Sequence, residues 1–185
     1  MATTKSSHSE TLRPVPGITP TPSEIPAAHL ADLQQVLDRD IPMCAQMAMQ
    51  VSEHLDRRLA VSMPLELNHN HQQTAFAGSL NALCTIAGWG TMYLLLRRLE
   101  TSGNIVIRRS SIKYHRPVAT SRVTACCLTV DPLAEQHFAE MYAEKGQAKL
   151  DLAVEISGED RPAVTFMGSY VVTREDCQIG VFAII

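Results

Sequence analysis

Six polar side chains in succession, Asn68, His69, Asn70, His71, Gln72 and Gln73, lead directly into an apolar segment with no Asp, Glu, Lys, Arg or His until Arg97. An asparagine amide both donates and accepts, so Asn68 and Asn70 can orient a carboxylate or a water. Along an extended chain they point to one side, and His69 and His71 to the other. Where the apolar segment turns helical, its first amides lack intrahelical partners and carry partial positive charge. Such amides can hold a carbonyl oxygen or a developing oxyanion. Gly78 and Ser79 fall at that place, and Gly78 has no Cβ to keep a ligand off the backbone. The chemistry this pattern suits is polarisation of a carbonyl group. A metal site at His69 or His71 is not expected, because no Cys, Asp or Glu at ligand spacing completes one. Cys84 lies among apolar neighbours, which favour the neutral thiol over the nucleophilic thiolate.

The element that must position these groups is a helix from Thr74 to about Leu99, with Thr74 as N-cap and Arg97 and Arg98 near its last carbonyls. A helix apolar all round has to be covered on most sides. Upstream, the spacing of Leu30, Leu33, Val36 and Leu37 predicts a helix opening near Pro26. Pro42 interrupts it, and Met43, Met47 and Met49 suit a second short helix. Residues 50–65 mix apolar and polar types as a strand or hairpin does. After Ser102-Gly103-Asn104 the chain reads mostly as strands, over residues 104–115, 122–130, 149–157 and 164–173. Leu150, Leu152, Val154 and Ile156 share one face of the third. Val164, Phe166, Gly168, Tyr170 and Val172 share one face of the fourth. An amphipathic helix over residues 132–145, packing through Leu133, Phe138, Met141 and Tyr142, separates the second strand from the third. One long buried helix with an antiparallel sheet curled around it defines an α+β hotdog fold. Gly88 and Gly90 cost the helix about 1 kcal/mol each relative to Ala; their use would be a close approach of the sheet.

Length and composition bound what remains. The chain has 185 residues, 45% of them hydrophobic, which suits one globular domain. Four of the prolines cluster with Ser and Thr in residues 1–24, which predicts a disordered tail ahead of a single domain over residues 25–180. A formal net charge of -3 gives no electrostatic case for nucleic acid or an anionic membrane surface. The five cysteines are odd in number and sit in apolar contexts, as reduced thiols rather than a disulfide frame. The opening MATTKSSHSE lacks the apolar core of a signal peptide. The apolar run from Ala82 to Leu96 is shorter than the roughly 18–20 residues of a membrane span. A cytoplasmic, soluble protein is the expectation.

The string PLELNHNHQQTAFAGSLNALCTIAGWG resembles the putative thioesterase family known as the C-terminal domain of YiiD-type acetyltransferases. The shared features are Pro-Leu, Asn-His-Asn, Thr-Ala-Phe-x-Gly-Ser and the Gly-Trp in the helix. The later SSIKYHRPV is similar to a Ser-x-x-Tyr-x-x-Pro strand of the same hotdog group. The resemblance covers residues 40–175, and with no acetyltransferase domain in front it implies the stand-alone form. It further implies a homodimer, which could pair again into a tetramer, with sites between subunits. The substrate would be an acyl thioester carried on the phosphopantetheine of acyl carrier protein or coenzyme A, with no separate cofactor. On this resemblance Asn70, Asn68, His69, Gly78 and Ser79 are the candidate catalytic residues. Thr74, Phe76, Ala77 and Tyr114 are candidates to bind substrate, although packing alone would also account for Tyr114.

Many hotdog thioesterases carry an Asp or Glu on or near the central helix, and here none occurs between Glu66 and Glu100. Hydrolysis would then depend on Asn or His to position water. Decarboxylation of a malonyl thioester needs no general base. It needs an enolate oxygen stabilised and a carboxylate held in a low-dielectric pocket. The family resemblance points the same way, toward malonyl-carrier-protein decarboxylation that starts fatty acid synthesis. Decarboxylation is therefore expected ahead of hydrolysis. A non-catalytic binder of acyl thioesters and a plain dimerisation module are the remaining readings.

Overall fold

A computed structural model describes residues 25–53 and 58–174. The expected tail over residues 1–24 and the last residues of the expected domain lie outside the described residues. The order is α1 (Ala27–Asp40), α2 (Pro42–Gln46), β1 (Gln50–Glu53), β2 (Leu59–Pro64), a 3-10 turn (Leu65–Leu67), α3 (Ala77–Arg98), β3 (Asn104–Tyr114), β4 (Arg122–Cys127), α4 (Pro132–Lys145), β5 (Gln147–Ile156) and β6 (Val164–Thr173). The six strands form one antiparallel sheet in the order β1-β2-β4-β5-β6-β3. Its inner face wraps α3, which packs against β2, β3, β4, β5 and β6. This is the hotdog architecture, as the sequence pattern implied.

The wrapping follows from side-chain alternation. Leu150, Leu152, Val154 and Ile156 of β5 are buried, and so are Val164, Phe166, Tyr170 and Val172 of β6. Opposite them α3 buries Leu80, Leu83, Cys84, Ala87, Met92 and Leu96. Each buried leucine contributes about 1.5–3 kcal/mol, so this face outweighs the propensity cost of the two glycines. Both glycines serve close approach. A Cβ on Gly88 would stand 2.2 Å from the Tyr170 hydroxyl, and one on Gly90 would stand 2.7 Å from Leu59. Gly88 thus faces the sheet through β6, and Gly90 faces β2 with Leu33 of α1 behind it. The Tyr170 hydroxyl donates to the Thr85 carbonyl at 2.8 Å, and Trp89 Nε1 donates to the Ile105 carbonyl at 3.2 Å. Two exposed ion pairs, Arg97–Asp32 and Arg98–Glu135, tie the far end of α3 to α1 and α4. Such pairs are worth about 0–1 kcal/mol, so packing and the two hydrogen bonds set the helix position.

Several expectations shift. The helix begins at Ala77, and Thr74 is not its cap. The amide of Ala75 is drawn to the Val118 carbonyl and that of Phe76 to the Asn68 carbonyl, which keeps the chain extended through Phe76. The strand expected over 122–130 stops at Cys127. In α4, Phe138 and Tyr142 are buried as expected, but Leu133 is 73% exposed. It lies in the first turn, after the Asp131 cap and before the helix reaches the core. With 22 residues, α3 is also long and apolar enough to cross a bilayer by length and composition. Here it is the core helix, inside the sheet.

The two edges of the sheet differ. Along β1, Gln34 of α1 accepts from the Val51 amide at 2.8 Å and donates to the Met49 carbonyl at 3.1 Å. One side chain thereby blunts that edge. On the opposite edge β3 pairs with β6 on one side only, and no described element covers its other side over eleven residues.

If Gly88 and Tyr170 act as one contact, Gly88→Ala should destabilise the fold by about 1–3 kcal/mol. Tyr170→Phe should cost about 1 kcal/mol. In a Tyr170→Leu background Gly88→Ala should cost clearly less, because the ring atoms that its Cβ would meet are gone. Urea unfolding of the single variants and the double variant measures this; strictly additive costs would refute the contact.

Candidate active site at the start of the central helix

Residues 68–76 form a closed loop that delivers the chain to α3. The Asn70 side-chain carbonyl accepts from the amides of Gln72 at 2.8 Å and Thr74 at 3.3 Å. Its Nδ2 donates to Thr74 Oγ1 at 3.0 Å, and its backbone amide donates to the Thr74 carbonyl at 2.8 Å. Asparagine is suited to this because its amide can replace the backbone bonds of a turn. Gln73 takes the positive φ of 60° that closes the loop. His69 and Ala75 bridge across it, and the loop is pinned from outside by the Ala75–Val118 bond.

Asn68 sits beneath. It is only 2% exposed, and its Nδ2 donates to the carbonyls of Met47 at 3.0 Å and Pro64 at 2.8 Å. Its Oδ1 is buried without a hydrogen-bond partner among the described residues. Asn68 is thus a strut joining the end of α2, the end of β2 and the loop. Both asparagines spend their amides on the loop and its base. The expected presentation of Asn68 and Asn70 on one side of an extended strand is therefore replaced by a turn.

Above the loop the first turn of α3 opens to solvent. Phe76 occupies the N-cap position with no side-chain cap. Among the described residues the amides of Ala77, Gly78 and Ser79 have no hydrogen-bond partner, whereas Leu80 already donates to the Phe76 carbonyl. Ala77 and Gly78 are exposed and Ser79 is half-buried. The Phe76 ring, 53% exposed, folds over Gly78, where a Cβ would stand 2.4 Å from it. The space expected to admit a ligand is thus held by a side chain free to swing outward. Tyr114, at the end of β3 and 47% exposed, donates its hydroxyl to the Ala77 carbonyl at 3.1 Å. The free edge strand therefore terminates on the helix start. His69 is exposed, with Nδ1 on the Asn70 carbonyl, and His115 reaches Thr165. The described residues contain no group of three or more His, Cys, Asp or Glu able to hold a metal.

Loop, helix start and Tyr114 converge, as the residue types suggested. The Val118 segment, which clamps the loop, and the Phe76–Gly78 contact were not anticipated. A backbone carbonyl such as Val118 leaves no trace in residue type.

Cys84, under this turn, is buried, and burial pushes its thiol up to about 12. Cys44 and Cys127 are pushed up to about 11, chiefly by burial. A nucleophilic Cys84 is accordingly not favoured.

A sheet wrapped on one long helix, with bare amides at the helix start beside an edge strand, is a hotdog protein of the thioesterase type. The chain belongs to the family described as Putative thioesterase (yiiD_Cterm), whose model matches residues 30–174. Two solved structures share 29% identity with it. One is a protein of unknown function from Chlorobaculum tepidum TLS, with a TM-score of 0.76, covering 83% of this chain and 99% of that one. Another is a putative thioesterase from Shewanella oneidensis, with a TM-score of 0.70, covering 79% of this chain and 98% of that one. A protein from Bacillus halodurans crystallised with CoA shares the fold at 18% identity and a TM-score of 0.54, covering 80% of this chain and 90% of that one.

The buried thiols make a pH test. Their pKa values in the fold lie above the ordinary value of 9.0, so folding favours the neutral form. That stabilisation is whole below pH 9 and is lost as pH climbs toward 11 to 12. The unfolding midpoint should therefore fall above pH 9, and peptide mapping should find Cys84 unalkylated at neutral pH until the chain is denatured. Rapid native alkylation of Cys84 would contradict its placement.

Proposed function

We propose that this chain decarboxylates malonyl thioesters carried on acyl carrier protein or coenzyme A, yielding the acetyl thioester. One observation carries the reading. The bare amides of α3 open to solvent between the half-exposed rings of Phe76 and Tyr114, and no carboxylate occurs from Leu67 to Leu99. The amides of Gly78 and Ser79 hold the thioester oxygen, with Ala77 beside them. As the bond to the carboxylate carbon breaks, its electron pair moves into an enolate whose oxygen those amides stabilise. Carbon dioxide leaves, and a proton from water completes the acetyl group. An Asp or Glu here would repel the malonyl carboxylate, so the lack of charge favours this substrate. Asn70 and Asn68 position the helix start through the loop, with His69 and Thr74 on its rim. Phe76 and Tyr114 flank the amides and would contact the acyl thioester.

Hydrolysis is the second reading, favoured by the thioesterase description of the family and of the Shewanella oneidensis relative. The CoA in the Bacillus halodurans structure supports a pantetheine-borne substrate in either case. The bare edge of β3 supports a homodimer formed through it. Because Tyr114 ends that strand on Ala77, a second copy would lie beside the helix start. The protein would act in the cytoplasm on a soluble carrier.

Purified protein should convert malonyl-carrier protein to acetyl-carrier protein with release of carbon dioxide, read by mass spectrometry. Free acid and free thiol instead would establish hydrolysis, and no change in malonyl or long-chain thioesters would sink both. Ser79→Pro removes one amide in the first turn, where proline is tolerated. It should lower kcat by about 100-fold or more with the fold intact by circular dichroism. A kcat within a factor of about two would remove the Ser79 amide from the mechanism.

A further inference from the structure

Contacts along α3 order it against β6 from mouth to floor. At the mouth Tyr114, paired with Val164, touches Ala77. Further in, Ile112 pairs with Phe166, then Ser110 with Gly168, then Ile107 with Tyr170. At that last level Tyr170 binds the Thr85 carbonyl, and beyond it Trp89 binds Ile105. Helix and strand thus run side by side, and an acyl group entering at the amides of α3 would advance along their seam.

We infer that Phe166 and Tyr170 close that seam as an aromatic plug and restrict the site to short acyl groups such as malonyl, acetyl and butyryl. The inference rests on the proposed placement of the thioester at the start of α3. Gly168 lies between the two rings, and a Cβ there would stand 2.7 Å from Tyr170 Cε2 and 2.8 Å from Phe166 Cε1. Both rings lean into the space that a side chain at 168 would fill. Phe166 is 1% exposed and Tyr170 is 0% exposed, with Leu83, Cys84 and Val154 buried around them. Tyr170 is braced from the far side by Gly88 and by its bond to Thr85. The open cavity of about 290 Å³ bounded by Arg109, Asp151 and Met167 includes no α3 residue, so it offers no route past the rings. From the level of Val164 to that of Phe166 is two residues of strand, about 7 Å. Val164 is itself buried, so an entering group must part helix from strand, and that depth would then admit a short group and stop a long one.

The test compares acetyl, malonyl, butyryl and octanoyl thioesters, presented on CoA and on acyl carrier protein, by turnover and by thermal stabilisation relative to the unacylated carrier. Wild type should respond to the first three and treat the octanoyl thioester like the bare carrier. Phe166→Leu, which shortens the plug while keeping an apolar side chain, should raise the octanoyl-to-acetyl response ratio by at least about tenfold. Phe166→Met serves if the leucine variant does not fold. Wild type that accepts octanoyl as well as acetyl would overturn the plug and leave the thioester reading standing. An octanoyl response equally weak in wild type and folded variant would also overturn it. No response to any thioester would overturn the proposed function and the plug together.

Discussion

The hydroxyl of Tyr170 resting on the carbonyl of Thr85, over a helix position that has no side chain, is the contact on which the other placements depend. It fixes how deeply α3 sinks into the sheet, because a Cβ at Gly88 would force the two apart. It also fixes where along β6 the helix lies. With Thr85 held at Tyr170, the start of α3 lies about 12 Å back along the helix, and the Tyr114 side chain reaches in from the end of β3 to meet it at Ala77. The start of the helix is therefore held at the rim of the sheet by a bond two turns away. A site built from backbone amides needs such an arrangement, since amides take their direction from the helix as a whole.

What the helix start presents is defined by omission. No side chain caps it, and the residues that a helix would ordinarily recruit are spent elsewhere. Thr74, two residues ahead of the N-cap position, is bound to Asn70, and Asn68 is locked between two carbonyls below. The loop bonds to itself, to Val118 and to the chain below, and leaves the amides of Ala77, Gly78 and Ser79 without a partner among the described residues. With no charge on the helix until Arg97, the partial positive charge of its N-terminus is not cancelled by a neighbouring carboxylate on the same segment. On the proposed reading, reaction choice would turn on this electrostatic balance, with an anionic substrate and an enolate suited to it better than a water activated by a base.

The sheet edges reflect the same division between closed and open. Gln34 seals β1 by taking the place of a neighbouring strand, while β3 keeps its outer backbone groups available. The edge left open is the one that ends on the helix start. The closed interior beneath, where Phe166 and Tyr170 meet over Gly168, would then limit depth, just as the open edge would define the entrance.

Much of this was legible in the residues alone. Period-two alternation in β5 and β6, an all-round apolar helix and two glycines within it are local patterns that force a wrapped sheet, and the polar run marked the loop that feeds the helix start. The body of α4 was legible in the same way, whereas residues 50–65 read only as a strand or a hairpin until β1 and β2 are seen to pair. The sequence could not reveal which polar groups would consume one another. Thr74 looks like a cap until the Asn70 turn claims it, and Leu133 looks like core until α4 is seen to start outside it. Nor could it show that Tyr170 lies level with Thr85, since the two are 85 residues apart. Residue type and spacing determine which face of each element is apolar, because that depends on local geometry. The axial register of helix against strand, and with it the bareness of the helix start, arises only when distant side chains compete for the same space and the same hydrogen bonds.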